Sequence, residues 1–334
     1  MSTPGPDAFV LGAGVSGLTS AICLAESGLT VAVQGAELPH ETTSVVAGAL
    51  WGTHLVGADD RVAGWADETR RVLVELAGDV TTGVSICAGL MAVRLPQDAP
   101  PDAPEAPAGA EAADAIEYAR CDPRDLPPGY AAGWRLAAPL ASMPAYLTYL
   151  RDRLLAAGGQ LLEPRSFATL AQVAQGCTAP VIVNCPGAGA HALVPDPSVT
   201  PVRGQTVVVA NPGITEFFVG EGADPDDLTY LFPHGDTVVL GGTQDYGNWS
   251  RVPDPATAER ILAACAAAEP RLAGATVLGH RVGLRPTRPR IRLEAEAISG
   301  GRHIVHNYGH GGAGVSLAWG CARDAAKLAI AGLG

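Results

Sequence analysis

Residues 8–17 read Ala-Phe-Val-Leu-Gly-Ala-Gly-Val-Ser-Gly, a short apolar run followed by closely spaced glycines. A helical pattern follows the Gly12-x-Gly14-x-x-Gly17 turn, and an apolar segment at Thr30–Val33 predicts a second strand. In such a unit the first glycine permits a tight turn, the second lets the backbone approach a pyrophosphate, and the third lets the helix pack on the strand. Free N–H groups at the start of the helix favour negative charge. The segment therefore predicts a dinucleotide-binding unit, with a glycine-rich turn of an unrelated α/β protein as the alternative.

A second glycine-rich segment lies near the other end of the chain. Residues 306–319 read His-Asn-Tyr-Gly-His-Gly-Gly-Ala-Gly-Val-Ser-Leu-Ala-Trp and lead into a predicted helix at Gly314–Ala331. A nucleotide-binding protein needs only the first turn, whereas a chain that returns to its cofactor is typical of a flavoprotein wrapped around FAD. His310 could act as a base, but a histidine between glycines is more often a structural hydrogen-bonding group.

Composition excludes several classes of function. The chain has 334 residues, enough for two domains or one large one, and 47% of them are hydrophobic. The net charge is −12, with Lys327 as the single lysine, which disfavours a nucleic-acid or anionic-membrane surface. We therefore expect neither nucleic acid nor membrane among the partners.

The cysteines and the N-terminus indicate a reducing compartment. Seven scattered cysteines include no C-x-x-C pair, so neither a disulfide framework nor a zinc site is expected. His306 and His310 also lack a convincing metal-ligand pattern, and no metal is predicted. No signal peptide is recognised, and the apolar run from Ala8 to Thr19 is too short and glycine-rich to span a bilayer. These features predict a cytoplasmic protein.

Hydrophobic periodicity predicts alternating helices and strands in the first half and mainly strands in the second. The predicted helices are Val15–Ser27, Arg61–Ala77, Ser142–Ala157, Ala256–Ala268 and Gly314–Ala331. The predicted strands are Ala8–Leu11, Thr30–Val33, Pro180–Asn184, Gln205–Ala210, Phe217–Val219, Thr229–Phe232, Thr237–Gly241, Thr276–Leu284 and Arg290–Leu293. Residues 97–129 are rich in Pro, Ala, Asp and Glu and are interpreted as a solvated surface excursion.

Two further segments could contact a nucleotide. Residues 42–51, Thr-Thr-Ser-Val-Val-Ala-Gly-Ala-Leu-Trp, place hydroxyls before small residues, which suits phosphates followed by a flat ring. The alternative is a loop that enters a strand. The acid that usually binds a ribose is less clear, because Gln34-Gly35-Ala36 occupies its place and Glu37 comes slightly late. A ribose contact from Glu37 therefore stays open.

Arg285 is the strongest candidate for an anion-binding residue. It follows an apolar stretch and precedes Pro286, which favours an extended backbone. A buried guanidinium needs an anionic partner, and a carboxylate held by two parallel hydrogen bonds is a natural one. A structural ion pair is the alternative. Arg288, Arg290 and Arg292 share one parity and are interpreted as a solvated or salt-bridged strand.

Taken together, these residues resemble the D-amino acid oxidases, over nearly the whole chain. The matching segments, in chain order, are the first glycine turn, Thr42–Ser44, Ala47–Trp51, Val183–Gly187, Arg203–Gln205, Leu240–Gly242, Gly247–Ser250, Gly283–Pro286 and His306–Gly314. The His-Asn-Tyr-Gly-His-Gly-Gly and Arg-Pro-x-Arg-Pro-x-Ile-Arg-Leu-Glu segments are specific to that family and the similar D-aspartate oxidases.

The resemblance implies an α/β fold in which a Rossmann-like FAD-binding domain is interleaved with a substrate domain on a large mixed β-sheet. It assigns residues 1–55, 140–200 and 280–334 to the FAD-binding domain. Residues 56–139 and 201–279 then form the substrate-binding domain. It also implies non-covalent FAD, hydride transfer from the substrate Cα to flavin N5, and reoxidation by O₂ to hydrogen peroxide. The product imino acid would hydrolyse to a 2-oxo acid and ammonia.

The resemblance also implies roles for individual residues. Arg285 and Tyr230 match residues that bind the substrate carboxylate, and the Gly312 carbonyl matches the group that holds the substrate amine. The residues that would contact FAD are Gly12, Ala13, Gly14, Val15, Ser16, Gly17, Glu37, Thr42, Thr43, Ser44, Gly48, Ala49, Leu50, Cys185, Gly283, Gly311, Gly312, Ala313, Gly314, Val315 and Ser316. The expected lining of the substrate pocket is Gly52, His54, Phe232 and Ala313.

The chain departs from the mammalian members around the pocket. Residues 224–229 contain no tyrosine, Ala313 stands where those proteins carry a tyrosine, and Gly52 stands where they carry a glutamine. We therefore expect neutral, mainly apolar D-amino acids as substrates, with O₂ as the oxidant. A D-aspartate oxidase, with His54 as the extra cation, is one alternative. A flavin- or nucleotide-binding protein without oxidase activity is another, and a homodimer is left open as the assembly.

Overall fold

The computed structural model describes residues 5–94, 119–222 and 228–333. The helices α1 to α7, in chain order, are Val15–Glu26, Val62–Leu76, Met143–Ala156, Leu170–Gly176, Ala190–Leu193, Pro255–Ala268 and Gly314–Ala331. The strands β1 to β15 are Ala8–Leu11, Val31–Gln34, Val84–Val93, Ala119–Arg120, Ala132–Ala141, Gln160–Leu161, Val181–Asn184, Thr200–Ala210, Phe217–Glu221, Leu228–His234, Thr237–Gly241, Asp245–Tyr246, Val277–Thr287, Arg292–Ile298 and Arg302–Tyr308.

The smaller sheet contains the predicted dinucleotide-binding unit. Its strand order is β14-β15-β7-β1-β2-β6, and β1 pairs in parallel with β2 on one side and β7 on the other. Strand β15 joins β7 in parallel, and β14 adds an antiparallel edge. The central strands are buried apolar runs, as expected for parallel strands covered on both faces. Their carboxyl ends therefore meet at one edge, where nucleotide sites form in such sheets.

The larger sheet has nine strands and is mostly antiparallel. Its order is β12-β8-β11-β10-β9-β3-β5-β4, and β13 also pairs with β8. One face packs against helix α6, with Phe218, Leu231 and Ile261 in the shared core. Because side chains alternate along a strand, Val219 and Tyr230, which are paired across β9 and β10, point to the opposite face. That face carries the side chains described below as the candidate site.

The main core surrounds the two glycine-rich ends of the chain. Helix α1 packs between α3 and α7, and the cluster includes the fully buried Leu18, Leu147 and Leu150. Thr19 on α1 donates a hydrogen bond to the carbonyl of Ala318 on α7, 299 positions away. Long-range packing of this kind joins both ends of the chain around β1.

Most of the predicted elements are confirmed, with small shifts at their ends. The closing helix has the predicted bounds, Gly314–Ala331. Strands β3, β5 and β15 were missed. The first two are rich in Ala and Gly without strict alternation, and β15 contains the polar pair His306 and Asn307. Residues 97–118 of the predicted surface excursion lie outside the described residues.

The three arginines do not share one strand, because Arg288 and Arg290 lie between β13 and β14 and only Arg292 is in a strand. Ion pairs at Arg288 and Arg292 agree with the salt-bridged interpretation. Arg288 pairs with Asp196 at 2.9 Å. Arg292 pairs with Glu294 at 2.7 Å and with Glu296 at 3.2 Å. The carboxylates of Glu294 and Glu296 are exposed, so each pair with Arg292 is expected to contribute at most about 1 kcal/mol to stability.

The two sheets are built from largely separate parts of the chain, and the domain bounds themselves stay a prediction. All strands of the smaller sheet fall within residues 1–55, 140–200 and 280–334. Two details differ. Strand β13 belongs to the larger sheet as far as Thr287, and helix α2 packs against α7 beside the smaller sheet. Among the described helices none is long and apolar enough to cross a membrane.

Helix α3 offers a matched test of this packing. Leu150 is fully buried, whereas Leu155 on the same helix is 48% exposed. We expect Leu150→Ala to lower the free energy of unfolding by about 2–5 kcal/mol, because it leaves a cavity in the main core. Leu155→Ala should change it by about 0.5 kcal/mol or less. Urea unfolding of both variants measures the difference, and equal losses would contradict the assigned burial.

Candidate active site

A cavity of about 740 Å³ is lined by residues from both sheets. The segments that line it include the first glycine turn, residues 42–55, the end of β13 and the second glycine turn. The sequence-predicted site residues on its wall are Gly12, Ala13, Gly14, Val15, Ser16, Gly17, Glu37, Thr42, Thr43, Ser44, Gly48, Ala49, Leu50, Gly52, His54, Cys185, Tyr230, Phe232, Gly283, Arg285, Gly311, Gly312, Gly314, Val315 and Ser316. Segments far apart in sequence therefore meet around one space.

Ala313 is the exception among the predicted site residues. It is fully buried and packs in a core cluster with Trp65 and Leu317, outside the cavity wall. The residue lies at the start of α7, where the helix direction turns its side chain toward α2 and away from the cavity. The prediction that Ala313 lines the substrate pocket therefore does not hold in this structure.

The first glycine turn is held by close backbone packing. Gly12 has φ +108°, a conformation that favours glycine, and a Cβ there would lie 2.2 Å from the Cys185 carbonyl oxygen. A Cβ on Gly17 would lie 1.8 Å from the Gly12 carbonyl oxygen. Both positions exclude side chains for steric reasons, in line with the roles that the sequence predicts for these glycines.

The start of helix α1 carries donors for an anion. The backbone N–H of Val15 donates to Ser44 Oγ at 3.0 Å, so the hydroxyl lies directly at the helix N-terminus. Gly14 faces the same place, because a Cβ there would lie 3.0 Å from Ser44 Oγ. Oxygen acceptors are favoured here by the helix dipole and the unpaired N–H groups. The place suits a phosphate oxygen.

Residues 48–52 form a backbone wall of the cavity. Leu50 makes a β-bridge with Leu140 of β5. The Gly52 N–H donates to Ser316 Oγ at 3.0 Å, which joins the segment to the first turn of α7. Gly48 lies against Phe232, since a Cβ there would meet the ring at 2.5 Å. The segment is therefore fixed at several points, and it presents backbone groups to the cavity.

Arg285 and Tyr230 converge on the part of the cavity next to this wall. The guanidinium of Arg285 lies over Gly204, where a Cβ would be 2.6 Å from both terminal nitrogens, and Nη1 donates to the Thr243 carbonyl at 2.8 Å. The ring of Tyr230 lies on Gly241 and stacks on Phe232, with 4.8 Å between centroids. Burial raises the pKa of Tyr230, and the nearby Arg285 charge opposes this shift.

Arg285 has no carboxylate partner among the described residues. Its hydrogen-bond partners are the Thr243 carbonyl and the Tyr230 hydroxyl, neither of which is an acid, and a guanidinium has five N–H groups to donate. The alternative of a structural ion pair is therefore not supported. A partly buried cation that faces a cavity without an acid beside it indicates an anionic ligand.

The two histidines that the sequence singled out differ in surroundings. His310 is buried and shares a 3.0 Å hydrogen bond between Nε2 and Asn307 Oδ1, while burial lowers its pKa to about 4. It is a structural hydrogen-bonding group, as the sequence favoured. His54 faces the cavity beside Gly312, and desolvation together with the Arg285 charge lowers its pKa to about 4. His54 is therefore uncharged at neutral pH.

Glu37 borders the cavity, but its carboxylate is engaged. Arg251 forms an ion pair with it and also donates to the Glu41 carbonyl at 3.0 Å. Trp249, Arg251, Arg165 and Phe167 also line the cavity and were not predicted as site residues. Only Trp249 carried a signal, because it lies within the quoted Gly247–Ser250 segment. The others come from loops without a recognisable motif.

The hydrogen-bond donors on the cavity wall and the volume of the cavity fit FAD. The Ser44 hydroxyl, held by the Val15 N–H at the start of α1, can donate to a pyrophosphate, and Gly14 leaves room for it. The backbone wall at residues 48–52 and the second glycine turn border the same cavity, where a flat ring can lie between them. The three glycines of the first turn carry no side chain that would obstruct the approach of a pyrophosphate.

Comparison with known proteins agrees with this fit. The family described as FAD dependent oxidoreductase (DAO) matches residues 7–328, so the chain belongs to this family. The chain is 49% identical to a D-amino-acid oxidase of Rubrobacter xylanophilus, over 98% of this chain and 96% of the relative. It is 33% identical to the human D-aspartate oxidase, over 96% and 93% of the two chains. The structure of glycine oxidase from Geobacillus kaustophilus shares the fold, with 18% identity, a TM-score of 0.79 and coverage of 98% and 95%.

Gly14 tests the pyrophosphate site. We expect Gly14→Val to purify without FAD and to bind little added FAD, because the side chain would project toward Ser44 at the helix N-terminus. Gly64→Val is the matched control, since Gly64 is exposed on α2 and a Cβ there meets nothing within 4 Å. Flavin absorbance and fluorescence titration give the affinities, with circular dichroism to check folding. Unchanged FAD affinity in Gly14→Val would refute the assignment.

Proposed function

We propose that this protein is a D-amino acid oxidase acting on neutral, mainly apolar D-amino acids. The reaction converts the amino acid, O₂ and water to a 2-oxo acid, ammonia and hydrogen peroxide. One observation carries the proposal: Arg285 presents a cation to the cavity without an acidic partner among the described residues. The high identity to a bacterial protein named D-amino-acid oxidase supports the same function.

Arg285 and Tyr230 would bind the substrate carboxylate. The planar guanidinium can hold both carboxylate oxygens, and the Tyr230 hydroxyl can donate a further hydrogen bond. The Gly312 carbonyl, beside His54, would accept from the substrate amine. Together these groups fix the Cα–H bond relative to the backbone wall at residues 48–52, so orientation supplies much of the catalysis.

FAD, when bound, supplies the acceptor for the hydride from Cα and passes the electrons to O₂. The protein's part is to bind, orient and exclude water. Several apolar side chains line the cavity, among them Met91, Leu136, Val219, Leu228 and Phe232. Such a lining favours apolar side chains, with each buried methylene contributing about 0.8 kcal/mol.

D-aspartate oxidase is the second candidate, since a human protein of that name is a relative. Such an enzyme must neutralise a second carboxylate inside the pocket. His54 is the cation that the sequence left open for this role, but its lowered pKa leaves it uncharged at neutral pH. A binding protein without activity is disfavoured because Arg285 and Tyr230 meet at the cavity.

We further propose that the enzyme works in the cytoplasm. All seven cysteines are unpaired, which suits a reducing compartment. A homodimer is proposed as the assembly, and sedimentation velocity at several concentrations would test it.

Arg285 tests the proposed carboxylate site. Arg285→Ala should retain FAD but lose about 2–5 kcal/mol of transition-state binding with D-amino acids, because the substrate carboxylate loses its partner. Arg285→Lys should recover only part of this, since an ammonium group lacks the planar fork. Peroxide formation gives kcat/KM. Arg290→Ala is the control, because Arg290 is exposed on the same segment. Unchanged kinetics in Arg285→Ala would exclude the role.

The pH dependence of substrate preference tests the state of His54. Its pKa is lowered to about 4, so the imidazole gains its proton only well below neutral pH. Between about pH 6 and about pH 8 we expect D-valine to remain better than D-aspartate, with a kcat/KM ratio that changes less than about twofold. Steady-state kinetics on both substrates measure the ratio. A strong rise in D-aspartate activity as the pH falls through about 6.5 would instead show a charged His54 as ligand.

A further inference from the structure

Glu221 is a carboxylate on the cavity wall that the proposed reaction does not use. It ends strand β9, lines the cavity and is half-buried. Its side chain makes no hydrogen bond and no ion pair with any residue that the structure describes, although its backbone carbonyl accepts from the Arg94 N–H. The carboxylates at Glu37 and Asp196, in contrast, are each paired with an arginine. An unpaired acid beside a binding cavity indicates a ligand of positive charge.

The sheet register fixes the position of Glu221 relative to the carboxylate site. Val219 lies opposite Tyr230, and Glu221 lies opposite Leu228, one pair further along the same face. Two residues of strand span about 7 Å. A substrate held at Arg285 and Tyr230 would thus meet Glu221 only with a long side chain, whose stem runs along Val219 and Leu228.

The surroundings of Glu221 strengthen its electrostatic effect. Desolvation raises the pKa of Glu221, and no ion pair with a described cation offsets the loss of water. A charged partner that arrives with the substrate would replace the missing solvation. Conversely, an acidic side chain in the substrate would face repulsion in a medium of reduced dielectric.

We propose that Glu221 is a specificity-determining residue of the substrate pocket. Among D-amino acids with side chains long enough to reach it, Glu221 favours those that end in an ammonium or guanidinium group over those that end in a carboxylate, and it leaves the shorter neutral substrates proposed above unaffected. The inference rests on the proposed function and deepens it. Short apolar side chains such as that of D-valine stop before Glu221, whereas a four-carbon stem brings a terminal cation to it.

The test compares side chains of similar length with and without charge. For the wild type and Glu221→Gln, kcat/KM is measured with D-lysine and with D-norleucine by peroxide formation. We expect the D-lysine to D-norleucine ratio to fall about tenfold or more in Glu221→Gln, since a partly buried ion pair is lost. D-norleucine itself should change less than about twofold, and D-glutamate should improve.

Two further variants sharpen the comparison. Glu216→Gln removes an exposed carboxylate just before the same strand, paired with Arg135 at 2.8 Å, and should leave the ratio unchanged. Glu221→Asp keeps the charge and should retain most of the D-lysine preference. It also serves as the folded variant if Glu221→Gln is unstable.

The outcomes separate the inference from the proposed function. Oxidation of D-norleucine by the wild type supports the function whatever Glu221 does. An unchanged D-lysine to D-norleucine ratio in Glu221→Gln, or an equal fall in Glu216→Gln, would overturn the role of Glu221. If no D-amino acid were oxidised by the FAD-loaded wild type, the proposed function itself would fail.

Discussion

The whole site depends on the close approach of three backbone segments at the end of β1. The carbonyl of Gly12 touches helix α1 at Gly17, and Gly12 in turn touches the carbonyl of Cys185, so no side chain fits at either glycine. This contact fixes the N-terminus of α1 over the ends of the parallel strands, which sets where a pyrophosphate can lie. The cavity, the second glycine turn and the segment 48–52 are all arranged around that point.

Glycines in the larger sheet have a different role. Gly204 and Gly241 have no side chain to occupy the space that the Arg285 guanidinium and the Tyr230 ring fill. The functional side chains therefore lie flat on the backbone of neighbouring strands and need no loop to position them. A rigid sheet can hold such groups more precisely than a loop, which suits catalysis by orientation. The part of this sheet face that remains for a substrate side chain runs along Val219 and Leu228 and ends at Glu221.

The sequence predicted much of the fold and the glycine-rich parts of the cavity lining, because glycine spacing and apolar periodicity reflect local geometry. The predictions from sequence failed where long-range packing determines the structure. Strand β15 was missed because His306 and Asn307 are buried in hydrogen bonds that apolar patterns do not reveal. The direction of the Ala313 side chain depends on contact with α2. The ion pair between Glu37 and Arg251 joins residues 214 positions apart, and no local pattern carries that information.

The pairing of β15 with β7, and of α7 with α1, has a consequence for biosynthesis. Strand β7 lies between β1 and β15, so one of its edges stays bare until residues 302–308 leave the ribosome. Likewise, the hydrogen bond from the Thr19 hydroxyl to the Ala318 carbonyl cannot form until α7 has been synthesised. During translation the nascent chain therefore exposes an apolar strand edge and one side of α1, which are surfaces that promote aggregation. The smaller sheet can therefore be completed only after residues 302–308 have been synthesised.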